Sequence, residues 1–405
     1  MGALSHLRVL DLSRVLAGPW CTQILADMGA DVIKVEMPQV GDDTRHWGPP
    51  FLPDANGQPS DAATYFTTCN RNKRSITLDM ATQQGQALIR ELALRSDVLV
   101  ENFKVGGLQK YGLDFASLHV LNPRLIYCSI TGFGQNGPYA QRAGYDLMIQ
   151  AMSGMMSITG RADGESGGGP LRTGVAITDL FTGTYAATAI LTALEARHRS
   201  GKGQHIDMAL LDVGMAMLAN QAAGFLHTAH VPPRQGNTHP SLVPYQDFPT
   251  LDGSMLLAIG NDGQFSRFCA AAGQPQWAED ARFATNRERV AHRAILIPLL
   301  ESITRTRTTA QWIALLEDRA VPCGAINDLA QAFDLPQVQA RGLVVEQASS
   351  SATTIRTVAS PIRLSDHPAV LQRPPPTLGQ HTDEILRELG LDAAHIAALH
   401  DSRVV

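Results

Sequence analysis

The stretch RTGVAITDLFTGTYAATAIL, residues 172–191, holds one acidic side chain, Asp179. After Arg172, every other residue in it is apolar, glycine, tyrosine or threonine. An ionised carboxylate is costly in such company. One explanation is structural: Thr178 and Asp179 are both good helix N-caps, and the residues after them propagate a helix. The other is chemical: a carboxylate nucleophile near positive helix-end dipoles with few waters around it. A cap alone does not account for the nearby Tyr145–Asp146 pair or for the glycine-rich GRADGESGGGP at 160–170. That segment is either a passive surface loop or a mobile lid shielding a reactive intermediate from water. Spacing alone leaves cap and nucleophile both open.

Other chemistry-bearing patterns are weaker. Gly132-x-Gly134-x-x-Gly137 follows a strand-like run. A dinucleotide fingerprint needs a helix opening on the glycines and an acidic ribose partner. Here Pro138 and a polar stretch intervene, so no nicotinamide or flavin site is expected. His227 and His230 stand at helical spacing without cysteine or acidic ligands at a recognisable interval, and no metal is expected. No nucleophile elbow and no P-loop is expected; GESGG (164–168) has the GxSxG letters but lies inside the glycine-rich segment, not between a strand and a helix. NRNKRSITLD (70–79) clusters Arg71, Lys73 and Arg74 before an expected strand, and Lys34, Arg45 and Lys110 stand in comparable places at the ends of others. The bland reading is a solvated edge. The functional one is a ring of cations beyond the strand C-termini, suited to a phosphorylated ligand.

These residues need a frame to hold them. The chain has 405 residues, 44% hydrophobic and 18% charged, enough for two domains or one large domain with an insertion. A net charge of −5 gives no basic footprint for nucleic acid. The five scattered cysteines, Cys21, Cys69, Cys128, Cys269 and Cys323, suit a reducing compartment. The N-terminal residues enter a strand pattern at once, and no apolar run approaches the ~18 residues of a membrane span. A cytoplasmic protein without membrane partners is the expectation.

LRVLDL (7–12), DVIKVE (31–36), SITLDM (75–80), DVLVEN (97–102) and RLIYCSI (124–130) read as buried strands. Helices are expected from about Pro19 to Met28 and over 83–95, so the pattern is α/β with a parallel sheet covered on both faces. Residues 172–230 read as helical, with a short HIDMALLD segment at 205–212. MLLAIG (255–260), helical patterns over 265–318 and PCGAIN (322–327) suggest a smaller α+β unit.

Taken together and in order, VLDLSRVLAGPW, DVIKVEMPQVGDDTRHWGPPF, NRNKRSITLD, ENFKVGGLQKYGLD, NPRLIYCSITGFGQNGP, RAGYD and GVAITDLFTG resemble the family III CoA-transferases, which include formyl-CoA and carnitine CoA-transferases and the α-methylacyl-CoA racemases. THPSLVPYQDF (238–248), GNDGQF (260–265), QRAGYD and RPPPTLGQH resemble the branch that uses succinyl-CoA with glutarate or hydroxymethylglutarate. The resemblance covers essentially the whole chain. It implies an interlocked homodimer with a Rossmann-like large domain built from both termini. The expected layout is 1–200 for its first part, 201–230 for linker helices, 231–330 for a small α+β domain, and 331–405 for the return.

The resemblance further implies that Asp179 attacks an acyl-CoA thioester, giving an aspartyl-acyl anhydride and then an aspartyl-CoA thioester. No cofactor is held permanently; acyl-CoA and a carboxylic acid are the substrates. Position by position, the family's CoA contacts fall on Val15, Ala17, Leu78, Asn102, Phe103 and Lys110, with Arg71, Lys73 and Arg74 as candidates for the phosphates. Trp47, Tyr145 and Asp146 match acyl-site positions, and His239 lies in the segment expected to border them. Leu16 stands where formyl-CoA transferase has glutamine, and that enzyme's four-glycine loop is replaced by GNTHPSLVPYQ (236–246), which argues against formyl or oxalyl specificity. Arg45 and Arg172 are candidates for a dicarboxylate's distal charge. The alternative on the same fold is a 2-methylacyl-CoA racemase. Such enzymes place histidine where this chain has Tyr145, and a phenol is a poor α-proton base at neutral pH.

Overall fold

The computed structural model describes residues 2–54, 56–349 and 354–405. They form two units, the first of residues 1–155, 172–229 and 339–405, the second of 156–171 and 230–338. The glycine-rich segment at 160–170, expected within the large domain, therefore belongs to the second unit.

Among the described residues, the first unit is built on six parallel strands: β1 (Arg8–Asp11), β2 (Asp31–Glu36), β3 (Lys73–Thr77), β4 (Val98–Glu101), β5 (Ile126–Thr131) and β6 (His205–Ala209). Their order is β3-β2-β1-β4-β5-β6, that of doubly wound nucleotide-binding sheets. Alternate residues feed opposite faces. Val9, Val32, Val98 and Ile126 pack on one side, while Leu10, Ile33, Ile76 and Leu99 pack on the other. Burial on both faces is why apolar residues stand at successive positions in these strands rather than only at alternate ones.

Helix α1 (Ala17–Asp27) and helix α4 (Ile177–Ser200) cover the first face. Helix α2 (Gln83–Leu94) and the C-terminal residues Ile385, Leu386, Ile396 and Leu399 cover the second. Between α2 and α4 in the chain lies the short helix α3 (Asp146–Met152). The 24-residue α4 ends at Gly201, whose φ of 72° suits a left-handed cap. A Cβ on Gly183 would stand 2.5 Å from the Ala17 carbonyl oxygen, so glycine permits the close crossing of α1 and α4. By length and composition α4 is apolar enough to cross a membrane, which corrects the expectation that no such run exists. Ala186, Ala187, Ile190, Ala193 and Leu194 on it are buried in the core against the sheet.

Two strands differ from their expected positions. β3 begins at Lys73, two residues before the apolar run, because the Lys73 and Arg74 side chains are buried with carboxylates from β1 and β2. HIDMA at 205–209 is a sheet edge rather than part of a helical stretch; its half-exposed pattern hides the strand signal. In the second unit, Tyr245–Pro249, Ser254–Ala258 and Cys323–Ala325 form an antiparallel sheet with Ser254–Ala258 central. Phe248, Met255, Leu257, Phe265, Phe268 and Trp312 build that unit's core.

Candidate active site

A cavity of about 850 Å³ opens in the first unit at the C-terminal ends of β1, β4 and β5. This is the crevice where strand order reverses and where ligands bind in open α/β sheets. Arg14 to Ala17 form one wall after β1, and Asn102 to Lys110 form another after β4. Gly132, the segment from Arg142 to Tyr145, Trp47 and Asp179 complete it.

The first wall is held by hydrogen bonds from distant strands. Asn102 pairs its side-chain amide with the Arg14 peptide, Oδ1 accepting from Arg14 N–H at 2.9 Å and Nδ2 donating to Arg14 O at 2.6 Å. Val15 sits at φ 71°, a left-handed conformation that is strained for a β-branched residue. Its N–H reaches both Asp42 carboxylate oxygens at 3.3 Å. Asp42 is tied to Lys34 at 2.9 Å, both side chains fully buried. Burial opposes ionisation of Asp42, but Lys34 and Thr44 outweigh it and hold the carboxyl at about 2.

The glycines of TGFGQNGP serve backbone geometry. A Cβ on Gly132 would stand 2.5 Å from the Gly144 Cα, so the loop after β5 and the RAGYD segment touch backbone to backbone. That contact places Tyr145 at the cavity. Gly134 and Gly137 both adopt positive φ, 87° and 85°. They make a turn, and the next helix, α3, opens at Asp146.

Asp179 is the third residue of α4, behind an N-cap residue, Ala176, that supplies no capping side chain. The cap arrives from another element. Asp146 Oδ1 accepts from Thr178 N–H at 2.8 Å and from Asp179 N–H at 3.4 Å. The capping role read for Thr178 and Asp179 is thereby corrected: both lie inside the first turn, and Asp146 does the capping. The reading of positive helix-end dipoles as support for the Asp179 carboxylate is corrected too. Those donors go to Asp146, and no hydrogen bond from any described residue stabilises the Asp179 carboxylate. Burial first, and the Asp146 charge second, push it up to about 7.

Of the other residues named from sequence, Val15, Leu16, Ala17, Trp47, Asn102, Phe103, Lys110 and Tyr145 line the same cavity as Asp179. Leu78 does not; it is buried in the core beneath the sheet. The cations of NRNKR are committed elsewhere. Arg71 grips Asp27 at 2.6 Å, Lys73 bonds to Asp11 at 3.0 Å, and Arg74 meets Asp31, Glu384 and Glu388. All three are buried, which leaves them no fork for a phosphate. Arg45 makes a two-point contact with Glu36, stacks over Phe66 with its guanidinium carbon 3.6 Å from the ring centroid, and donates to Pro376 O. Asp146 is buried and Arg172 is exposed, and neither lines the cavity. His239 belongs to the second unit, its ring 5.2 Å from that of Tyr245 and its Nδ1 accepting from Ser241 N–H.

Sequence reasoning passed over Arg14, Lys104 and Arg142, exposed cations on the cavity wall. Their signal was position: Arg14 follows β1, Lys104 follows β4, and Arg142 precedes Tyr145. Arg142 stacks 4.5 Å from the Tyr139 ring centroid, and Lys110 4.6 Å from that of Tyr111.

With that geometry in view, a family model described as CoA-transferase family III matches residues 4–382. A succinate–glutarate CoA-transferase of Agrobacterium fabrum is 53% identical over 386 residues, spanning 95% of each chain. A succinyl-CoA:glutarate CoA-transferase of Mus musculus is 43% identical, over 96% of this chain and 87% of that one. Among solved structures, a CAIB/BAIF family protein from Brucella suis superposes with a TM-score of 0.84 at 49% identity, covering 96% of this chain and 99% of that one.

Proposed function

The chain belongs to CoA-transferase family III, and we propose that it moves CoA from succinyl-CoA to a dicarboxylic acceptor such as glutarate, with Asp179 as the covalent nucleophile. The observation that carries this reading is the Asp179 carboxylate. It faces an 850 Å³ cavity, receives no hydrogen bond from the described residues, and is pushed up to about 7 by burial and by Asp146. A partly desolvated carboxylate is a better nucleophile, and near neutral pH a large fraction of it is still ionised.

The steps balance as follows. An Asp179 oxygen bonds to the succinyl carbonyl carbon, the C–S bond breaks, and CoA leaves as thiolate. The thiolate attacks the aspartyl carbonyl, releasing succinate and leaving an aspartyl-CoA thioester. The acceptor carboxylate attacks that thioester, giving a second anhydride and thiolate. The thiolate then takes the acceptor's acyl carbon, and Asp179 is restored. Arg14, Lys104 and Lys110 on the walls after β1 and β4 are assigned to the CoA phosphates, and Trp47 and Tyr145 to the acyl group. The names of the relatives, glutarate transferases in both organisms, support the substrate pair. The racemase alternative needs a second base, and Tyr145 occupies that place.

A homodimer is part of the proposal. Phe181, Tyr185 and Leu191 on α4 are 43–48% exposed, and Phe225 and Leu226 of the same unit are exposed as well. Such a patch is what a subunit interface covers. Light scattering at twice the chain mass supports it, and a monomer refutes it.

The chemistry is tested by incubating the protein with succinyl-CoA, trapping with hydroxylamine or borohydride, and mapping the product by mass spectrometry. A CoA adduct or trapped derivative on the peptide containing Asp179 is expected. An unmodified peptide during robust transfer refutes the covalent route, and a panel of carboxylates then identifies the acceptor.

A further inference from the structure

Asp146 and Gln150, two residues of α3, are the groups that fasten the nucleophile's segment in place. Asp146 Oδ1 accepts three hydrogen bonds: from Thr178 N–H at 2.8 Å, Thr178 Oγ1 at 2.6 Å and Asp179 N–H at 3.4 Å. Its Oδ2 accepts from Gln150 Nε2 at 2.6 Å. Gln150 Oε1 accepts in turn from Thr173 N–H at 3.0 Å and from the Thr173 hydroxyl at 3.3 Å. Gln150 and Thr178 are fully buried, and Asp146 is 8% exposed. One carboxylate–amide pair thus clamps both the approach to α4 and its first turn.

The chemistry of the clamp is unusual in one respect. Among the described residues Asp146 has no cationic partner; N–H and hydroxyl dipoles alone balance it. Threonine or asparagine could have capped the helix without a charge. A buried anion was placed next to a second carboxylate instead, and like charges at short range oppose each other's ionisation.

We infer, on the reading of Asp179 as nucleophile, that Asp146 is a positioning residue that aims Asp179 and, by repelling its carboxylate, drives it toward the covalent adduct. When the Asp179 oxygen joins the acyl carbon and the CoA thiolate departs, Asp179 changes from an anion to a neutral acyl-aspartate. The repulsion from Asp146 then disappears. The free enzyme therefore carries electrostatic strain that acylation releases, and Asp146 adds it to the larger effect of burial on the Asp179 carboxylate. The other groups facing this carboxylate do not substitute for Asp146. Tyr65 interacts with Asp179 and is itself pushed up to about 12 by burial and then by Asp179. The remaining charges and phenols on the cavity wall are Arg14, Asp43, Lys104, Lys110, Tyr111, Arg142 and Tyr145.

The test compares wild type with Asp146→Asn, Asp146→Ala and Gln150→Met, using succinyl-CoA and glutarate. Two quantities are read: the pH profile of kcat/KM, and the fraction of Asp179 carrying CoA at steady state. Asp146→Asn keeps an acceptor for the α4 N–H groups but removes the charge. Its acid limb should move to lower pH, and its adduct fraction should fall several-fold. Asp146→Ala loses both roles and should lower kcat by about 100-fold with KM for succinyl-CoA little changed. An acid limb and adduct fraction in Asp146→Asn that coincide with wild type overturn the inference while leaving Asp179 as nucleophile. Turnover with no adduct on Asp179 in the wild type overturns both. Where circular dichroism shows that the Asp146 variants fail to fold, Gln150→Met decides. A kcat lower by about tenfold at unchanged KM supports the clamp, and an unchanged kcat overturns it.

Discussion

Replacing Asp179, the proposed nucleophile, should make this protein more stable at alkaline pH. Asp179 titrates at about 7 in the folded chain, against 3.8 when unperturbed, with burial as the main cause and Asp146 the second. Between those two values the folded state holds a proton that the unfolded state has released. Stability therefore falls as pH rises through the window, at up to about 1.4 kcal/mol per pH unit. Above pH 7 the accumulated penalty is constant, at ~4 kcal/mol for the whole window. Asp179→Asn has the shape of the protonated side chain and carries no such penalty. In urea denaturation at pH 8 the variant should exceed wild type by a few kcal/mol, and the gap should shrink steadily toward pH 4. A variant equal to or weaker than wild type at pH 8, or a gap that ignores pH, would falsify the electrostatic account of this site.

Three further outcomes follow from the same geometry. The acid limb of kcat/KM should fall near pH 7, losing about tenfold per pH unit below it, because the proposed attack requires an ionised Asp179; a pH–rate profile measures this directly. Lys73→Met should cost about 3–5 kcal/mol of unfolding free energy, since it leaves the fully buried Asp11 without its cation; denaturant curves check it. Gly132→Ala should leave the chain folded by circular dichroism but cut kcat/KM by about 10²-fold, because the new Cβ forces the Gly144 backbone, and with it Tyr145, away from the cavity.

How much could be read from the chain alone is clear from particular elements. Asp31–Glu36 has the bounds expected for it, because Val32 packs on one face of the sheet and Ile33 and Val35 on the other, and these apolar residues mark the run even with Lys34 among them. Lys73–Thr77 was placed two residues late, since its first two side chains are cations whose partners Asp11 and Asp31 lie 62 and 43 residues away. A local pattern scores buried lysine as surface, and only the partner reverses that. The edge strand His205–Ala209 escaped for the opposite reason: its sparse burial gives little alternation to detect. The glycines at 132, 134 and 137 resembled a phosphate loop, yet their purpose is a backbone crossing and two positive-φ turns.

The sequence by itself determined the α/β alternation, the ordered motifs and the aspartate on which the chemistry is placed. All of these are short-range patterns, or matches that survive without coordinates. The tertiary structure decided which charges are available. Arg45 looked ready to read a substrate but is held by Glu36 and by Pro376, 331 residues away. Spacing leaves Asp179 open between cap and nucleophile, and Asp146, 33 residues before it, takes the capping role. The physical reason is the same in both cases. A side chain's ionisation and freedom depend on desolvation and on partners within a few ångströms, and folding assembles those partners from segments that the sequence keeps far apart.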